Sequence, residues 1–174
     1  MNIIRLYNMV IYKIKKADFI PIEAKIDLEY REINNENINE VMGIRGKHFL
    51  NEFKKVLKGN KALGIAAYKD EEVIGYGWLK TKGARDSFFN LENVEGYLAT
   101  FFVKREAYRG KKIYPSLITK LIESEKAKEV KEFYIATERK NTSSQKGFLK
   151  LNAKHEKNIK ILRAMKITLN KYTL

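Results

Sequence analysis

The sequence predicts an α/β fold, a mixed central sheet flanked by helices. Three observations carry that expectation. Strand-like and helix-like segments alternate along the chain. Residues 97–103, YLATFFV, are apolar on both faces, as a strand covered on both sides must be. That run leads through a basic, glycine-containing loop into an amphipathic helix and on to a further strand, the layout of a crossover unit.

The elements follow in order. Residues 3–15 suit a strand or a short helix equally. Residues 26–33, IDLEYREI, alternate and read as a strand. The run 34–37 offers helix N-caps, and Ile38, Val41, Met42 and Arg45 suit one helical face. Phe49, Phe53, Val56 and Leu57 recur at helical spacing, and Gly59-Asn60 stops that helix. Residues 62–68 and 73–79 read as the strands of a hairpin around a polar turn at 69–72. Residues 81–93, with Gly83, read as a loop. Beyond the central strand, Leu117, Ile118, Leu121 and Ile122 make one apolar helical stripe. Residues 132–137 read as a strand and 141–151 as a short helix. Residues 159–174 alternate like a strand, most clearly at Met165, Ile167 and Leu169. No segment reads as a linker, so residues 1–174 are expected to form one domain, with 1–25 an N-terminal extension of undefined structure.

Composition narrows the class. Hydrophobic residues at 44% and charged residues at 32% belong to a globular chain rather than a disordered one. No apolar run reaches the roughly 18 residues that a membrane span needs. The start, MNIIRLYNMVIYKIKK, is broken by Asn2, Arg5 and Asn8 and lacks a small-residue cleavage site, so it reads as structure and not as a targeting signal. Cysteine is absent, which excludes disulfides, Cys-ligated zinc and a Cys nucleophile. A reducing, cytoplasmic location and no metal site are the expectation. The net charge of +14, from 35 cations and 21 anions, attracts polyanions, although much of it is solvated surface. His48, His155 and Trp78 read as surface or core residues rather than as reactive groups.

One local cluster differs from that background. After Val103 the chain reads VKREAYRGKKIYPSLITKL, with Arg109, Gly110, Lys111 and Lys112 in a loop and a helix starting near Ile113 or Tyr114. Pro115 falls in the first turn, where its missing N–H costs nothing. Strand, basic loop and helix N-terminus together make a seat for an anion such as a pyrophosphate, because free N–H groups and the positive helix end point at it.

Three segments carry a resemblance to a known family. IGYGWL at 74–79, FFVKREAYRGKKIYPSLI at 101–118 and NTSSQKGFLKLNA at 141–153 resemble, in that order, the third strand, the pyrophosphate motif and the second cofactor motif of the GNAT N-acetyltransferases. With the elements between them they cover residues 26–174. The resemblance implies the GNAT acyl-CoA N-acyltransferase fold and acetyl-CoA as co-substrate. It implies cofactor contacts from Phe102, Val103, Arg109, Gly110, Lys111, Lys112, Ile113, Tyr114, Asn141 and Ser144.

The chain departs from the family pattern in five places. Lys112 and Tyr114 stand where small residues are usual, and the loop between Val103 and Arg109 is one residue longer. Asn152-Ala153 replaces a Gly-Phe pair, and asparagine tolerates the left-handed stop expected there. Phe148, seven positions after Asn141, stands where the family often has a general-acid tyrosine.

The implied chemistry is direct attack of a neutral amine on the thioester carbonyl. The N–H of Phe102 or Val103 would stabilise the developing oxyanion. Glu95 is the candidate general base, with Tyr97 and Tyr76 behind it, and Tyr114 or water replaces the missing acid. The acceptor would be a small-molecule amine, with an amino sugar suggested by analogy alone. Sheet edges or the first 25 residues are candidate homodimer surfaces. Two alternatives stay open: a non-catalytic acyl-CoA-binding regulatory domain, and a nucleic-acid binder. The second is disfavoured because no aromatic-rich RNA-binding signature and no DNA-reading motif is present.

Overall fold

The computed structural model describes residues 4–44, 50–59, 61–84, 89–164 and 167–173. Sequence expectations for Arg45, His48, Phe49, Asn60 and Met165, and for part of the 81–93 loop, lie outside these residues. The strands are β1 (Ile4–Lys15), β2 (Glu29–Glu32), β3 (Ala62–Lys69), β4 (Glu72–Lys80), β5 (Glu95–Val103), β6 (Glu132–Glu138), β7 (Lys154–Ala164) and β8 (Ile167–Thr173). They form one sheet in the order β2-β3-β4-β5-β6-β1-β7-β8. The helices are α1 (Ile38–Gly43), α2 (Leu50–Lys58), α3 (Arg105–Tyr108), α4 (Ile113–Glu123) and α5 (Thr142–Lys150). The β5–β6 pair is parallel and every other described pair is antiparallel.

Within the segment 3–15, ambiguous in sequence, residues 4–15 form a strand. It pairs β6 along one edge and β7 along the other. Val10, Tyr12 and Ile14 turn into the core that also holds Ile118 and Leu121 of α4, while Ile11 packs with Ile159 and Ile161 of β7. Period-two burial on both faces suits an interior strand and not a helix. β1 therefore lies inside the sheet, between β6 and β7.

The strand expected over 26–33 is shorter than the alternation implies. Glu29 faces Tyr68 and Glu32 faces Ile65, so Leu28 would face Lys69, the last residue of its only partner. Beyond Lys69 the chain turns through Asp70 and Glu71, both at positive φ, and nothing remains to pair with. Ile26 and Leu28 pack instead against the cluster of Ala67, Ile74, Ile113 and Leu117.

Helices cover both faces. On one face α4 and α5 bury Ile118, Leu121, Ile122 and Phe148 against Leu79, Leu98, Phe133 and Ile135. On the other, α1 and α2 bury Ile38, Val41, Met42 and Phe53 against Tyr76 and Trp78. Each fully buried Leu, Ile or Phe contributes roughly 1.5–3 kcal/mol. α5 ends as expected at Asn152, which sits at φ 61. The Ala153 N–H donates to the Phe148 carbonyl at 3.1 Å and the Asn152 N–H to the Leu149 carbonyl at 3.1 Å, the two bonds of a Schellman stop.

Candidate functional site

The site begins with a defect in the β4–β5 pairing. Tyr76 faces Phe102, yet Trp78 faces Ala99, so β5 carries one extra residue. Thr100 takes up that residue at φ 52. This is a β-bulge, and it bends the strand that holds it. The glycines of IGYGWL make room for it. A Cβ on Gly77 would lie 2.1 Å from the Phe101 ring, and one on Gly75 would lie 2.9 Å from the Phe102 carbonyl oxygen. Before the bulge β5 pairs β6 from Glu95 to Leu98, and at Leu98 that pairing stops.

Where the two strands part, a cavity of about 1710 Å³ opens. Thr100, Phe101, Phe102 and Val103 line one side and Ile135, Ala136 and Thr137 the other. The Lys104 N–H donates to the Ile74 carbonyl at 2.9 Å. Alternate residues of an antiparallel strand face the same way, so Phe102 also turns its N–H toward β4 and Val103 turns its own toward the cleft. Of the two backbone donors expected from the sequence, geometry selects Val103.

The loop and helix at the cavity mouth match the anion-seat expectation. α4 starts at Ile113, and its N-cap residue Lys112 is left-handed at φ 59 and ψ 23, with no side-chain cap. Gly110 sits at φ 78. The Ile113 and Tyr114 N–H groups stand in the first turn, where no carbonyl lies four residues back to accept them, and Pro115 has none. The Lys111 carbonyl accepts from the Lys25 N–H at 2.9 Å, which fastens the loop to the chain before β2. Between Val103 and Arg109 the chain makes the single turn of α3.

Charge gathers at this mouth. Lys104 is paired with Glu72. Among the described residues Arg109, Lys112, Lys146 and Lys150, all lining the cavity, make no ion pair. Of these, Arg109 and Lys112 stand beside the free N–H groups of the α4 N-terminus and fit a polyphosphate, while Lys146 and Lys150 stand on α5.

Asn141 lines the cavity and also caps α5, its Oδ1 accepting the Ser144 N–H at 3.3 Å. Ser144 lines the cavity too, with that N–H already bonded. The Tyr114 ring packs edge-on to Phe101 at 4.9 Å and tilted to Phe148 at 5.8 Å. Burial, with a smaller effect from Tyr97, holds its phenol well above the usual tyrosine range. Phe148 is fully buried beneath Tyr114 and does not reach the cavity.

The structure thus brings Phe102, Val103, Arg109, Gly110, Lys112, Ile113, Tyr114, Asn141 and Ser144 around one cavity. It does not bring Lys111 or Glu95 there. Glu95 lies at the closed end of the β5–β6 pair, where its carboxylate accepts from the Tyr134 hydroxyl at 3.0 Å and the Glu92 N–H at 2.9 Å. Trp78 is buried against Phe53 in the core, and His155 is exposed beside Asn158. Sequence reasoning missed Thr100, Lys146 and Lys150. A threonine inside an apolar run gives no sign of a bulge, whereas the i,i+4 spacing of the two lysines was readable.

A family model described as the acetyltransferase (GNAT) family matches residues 27–152. No curated protein matches the chain in sequence. Solved structures share its fold. A conserved protein of unknown function from Staphylococcus epidermidis is 13% identical with a TM-score of 0.63, over 92% of this chain and 63% of its own. An aminoglycoside N-acetyltransferase in complex with CoA is 20% identical with a TM-score of 0.58, over 71% of this chain and 89% of its own. A predicted acetyltransferase with acetyl-CoA from Clostridium acetobutylicum is 14% identical with a TM-score of 0.55, over 71% of this chain and 88% of its own. The chain therefore spans less than two thirds of the first of these and most of the other two.

Proposed function

Because the chain belongs to the GNAT acetyltransferase family, we propose that it transfers an acetyl group from acetyl-CoA to a primary amine of a small molecule. One observation carries this reading. The α4 N-terminus, with Arg109 and Lys112 unpaired beside it, stands at the mouth of a cleft that runs between β5 and β6 to the Thr100 bulge. The anion seat fits the pyrophosphate, and the cleft fits the thioester arm. Acetyl-CoA supplies an activated acyl group, and the chain supplies position, charge and protons.

The Ile113 and Tyr114 N–H groups and the two cations hold the phosphates. The Val103 N–H, aimed into the cleft, steadies the charge that develops on the carbonyl oxygen. Tyr114 donates the proton to the leaving thiolate. Burial keeps its phenol protonated across the working range, so it serves as an acid and not as a base. Glu95 is committed to Tyr134 and Glu92, which leaves Tyr97 on the cavity wall, or water in the open cleft, to take the amine proton.

Glu72 and Glu106 are the acidic residues on the cavity wall, facing Lys104, Arg109, Lys112, Lys146 and Lys150. This balance favours an acceptor with a single free amine, an amino sugar for example, over a polycation. We read residues 1–174 as one domain that works in the cytoplasm; among its described residues no helix is long and apolar enough to cross a membrane. A homodimer through the sheet edges belongs to the same reading.

A thermal-shift titration with acetyl-CoA, followed by thiol release over a panel of primary amines, tests the reading. Ligand at a hundredfold excess over its Kd should add about 2.7 kcal/mol of stability. No shift at millimolar acetyl-CoA sinks the reading. A shift with no thiol release from any amine would instead mark a binding domain without turnover.

A further inference from the structure

We propose that Lys146 and Lys150 form a second phosphate site, one for a phosphate monoester, which on the acetyl-CoA reading is the 3′-phosphate of coenzyme A. The two lysines stand four residues apart on α5, on the face that also turns Ser143 and Gly147 to the cavity. Residues at that spacing lie one helical turn apart with Cβ atoms about 5–6 Å from each other, so both ammonium groups reach a single phosphate. Both side chains are exposed, and among the described residues neither makes an ion pair.

Gly147, between them on α5, sets them beside the first site: α5 touches α4 there, and a Cβ at 147 would make ordinary contact with the Tyr114 ring at 3.7 Å. Tyr114 is the second residue of α4, inside the turn that forms the pyrophosphate seat. The cavity therefore carries two separate cation pairs. Arg109 with Lys112 flanks the α4 N-terminus, and Lys146 with Lys150 stands on the neighbouring helix. Coenzyme A carries two separate phosphate centres, a bridging pyrophosphate and a monoester. The first pair and the free N–H groups satisfy the pyrophosphate, and the second pair is left for the monoester. The charge-assisted contacts are solvent-facing, so each contributes modestly.

The test is calorimetric titration of the full chain with CoA and with 3′-dephospho-CoA. Wild type should bind CoA about tenfold more tightly than dephospho-CoA, the scale of two exposed ionic contacts. The double variant Lys146→Gln/Lys150→Gln should lose that preference, weakening on CoA while keeping the wild-type affinity for dephospho-CoA. Equal wild-type affinity for the two ligands overturns the monoester site and leaves the acetyl-CoA reading intact. Equal weakening of the variant on both ligands also overturns it. Binding of neither ligand by wild type overturns both.

Discussion

Lys112 holds a backbone conformation that glycine adopts freely and lysine resists. At φ 59 and ψ 23 its Cβ crowds the carbonyl oxygen that follows, which costs an L-residue about 1–2 kcal/mol. Replacing it with glycine removes that strain. Glycine also loses more entropy on folding, an opposing effect of about 0.5–1 kcal/mol. The net expectation for Lys112→Gly is therefore a gain of about 0.5–1 kcal/mol, or roughly 2–3 °C in Tm for a chain of this size. Urea unfolding without ligand measures it. Lys112→Ala is the control, because it removes the same charge but keeps a Cβ at positive φ, and it should show no gain. Both variants should weaken acetyl-CoA binding several-fold, since both lose an unpaired cation beside the α4 N-terminus. A glycine variant no more stable than the alanine one would refute the strain argument.

Five further outcomes rest on the same geometry. Tyr114→Phe should lower turnover about a hundredfold, the lower end for a general acid, with KM for acetyl-CoA nearly unchanged; parental turnover would remove Tyr114 from the chemistry. Burial raises the Tyr114 pKa, so its contribution to stability is complete below the ordinary tyrosine value of about 10 and is lost as pH rises beyond it. Unfolding curves should show a smaller alkaline loss in Tyr114→Phe than in the parent. Phe148→Tyr restores the family's usual residue but buries a hydroxyl away from the cavity, so it should cost about 1–3 kcal/mol in denaturant unfolding and leave turnover no faster. Gly77→Ala pushes a Cβ into Phe101 and should cost about 1–3 kcal/mol while loosening the cavity wall, read as a lower Tm and weaker acetyl-CoA binding. Ile14→Ala should cost about 2–5 kcal/mol if β1 is an interior strand, and a loss under 1 kcal/mol by chemical unfolding would contradict that.

Much of the fold was legible because the chain punctuates itself. The Gly-containing basic loop, Pro115 and the Leu117–Ile118–Leu121–Ile122 stripe locate α4 to within a residue. Asn152 in place of glycine announced a left-handed stop, and the structure places one there. The illegible parts depend on partners far away in sequence. Residues 4–15 become a strand because β6 and β7, more than a hundred positions later, leave a slot between them. Residues 26–27 of the 26–33 segment lie beyond the end of β3, whose last residue stands opposite position 28, and have no strand to pair with there. At the site, local signals found the seat at Arg109 to Tyr114, since a helix start is a local event. The Thr100 bulge, which opens the cleft, is set by how β5 lies on Gly75 and Gly77, and no periodicity reports that. Glu95 looked well placed in sequence because it precedes the central strand, but a strand has two ends and the cleft opens at the other.

On the proposed function, the space between β5 and β6 holds acetyl-CoA with its pyrophosphate on the α4 N-terminus. A crystal structure of the chain grown with acetyl-CoA tests it most directly. The account predicts density for the pyrophosphate against residues 109–114, with the thioester arm running past Val103 toward Thr100. Ligand density anywhere else, or a cleft that stays empty at saturating acetyl-CoA, would contradict it.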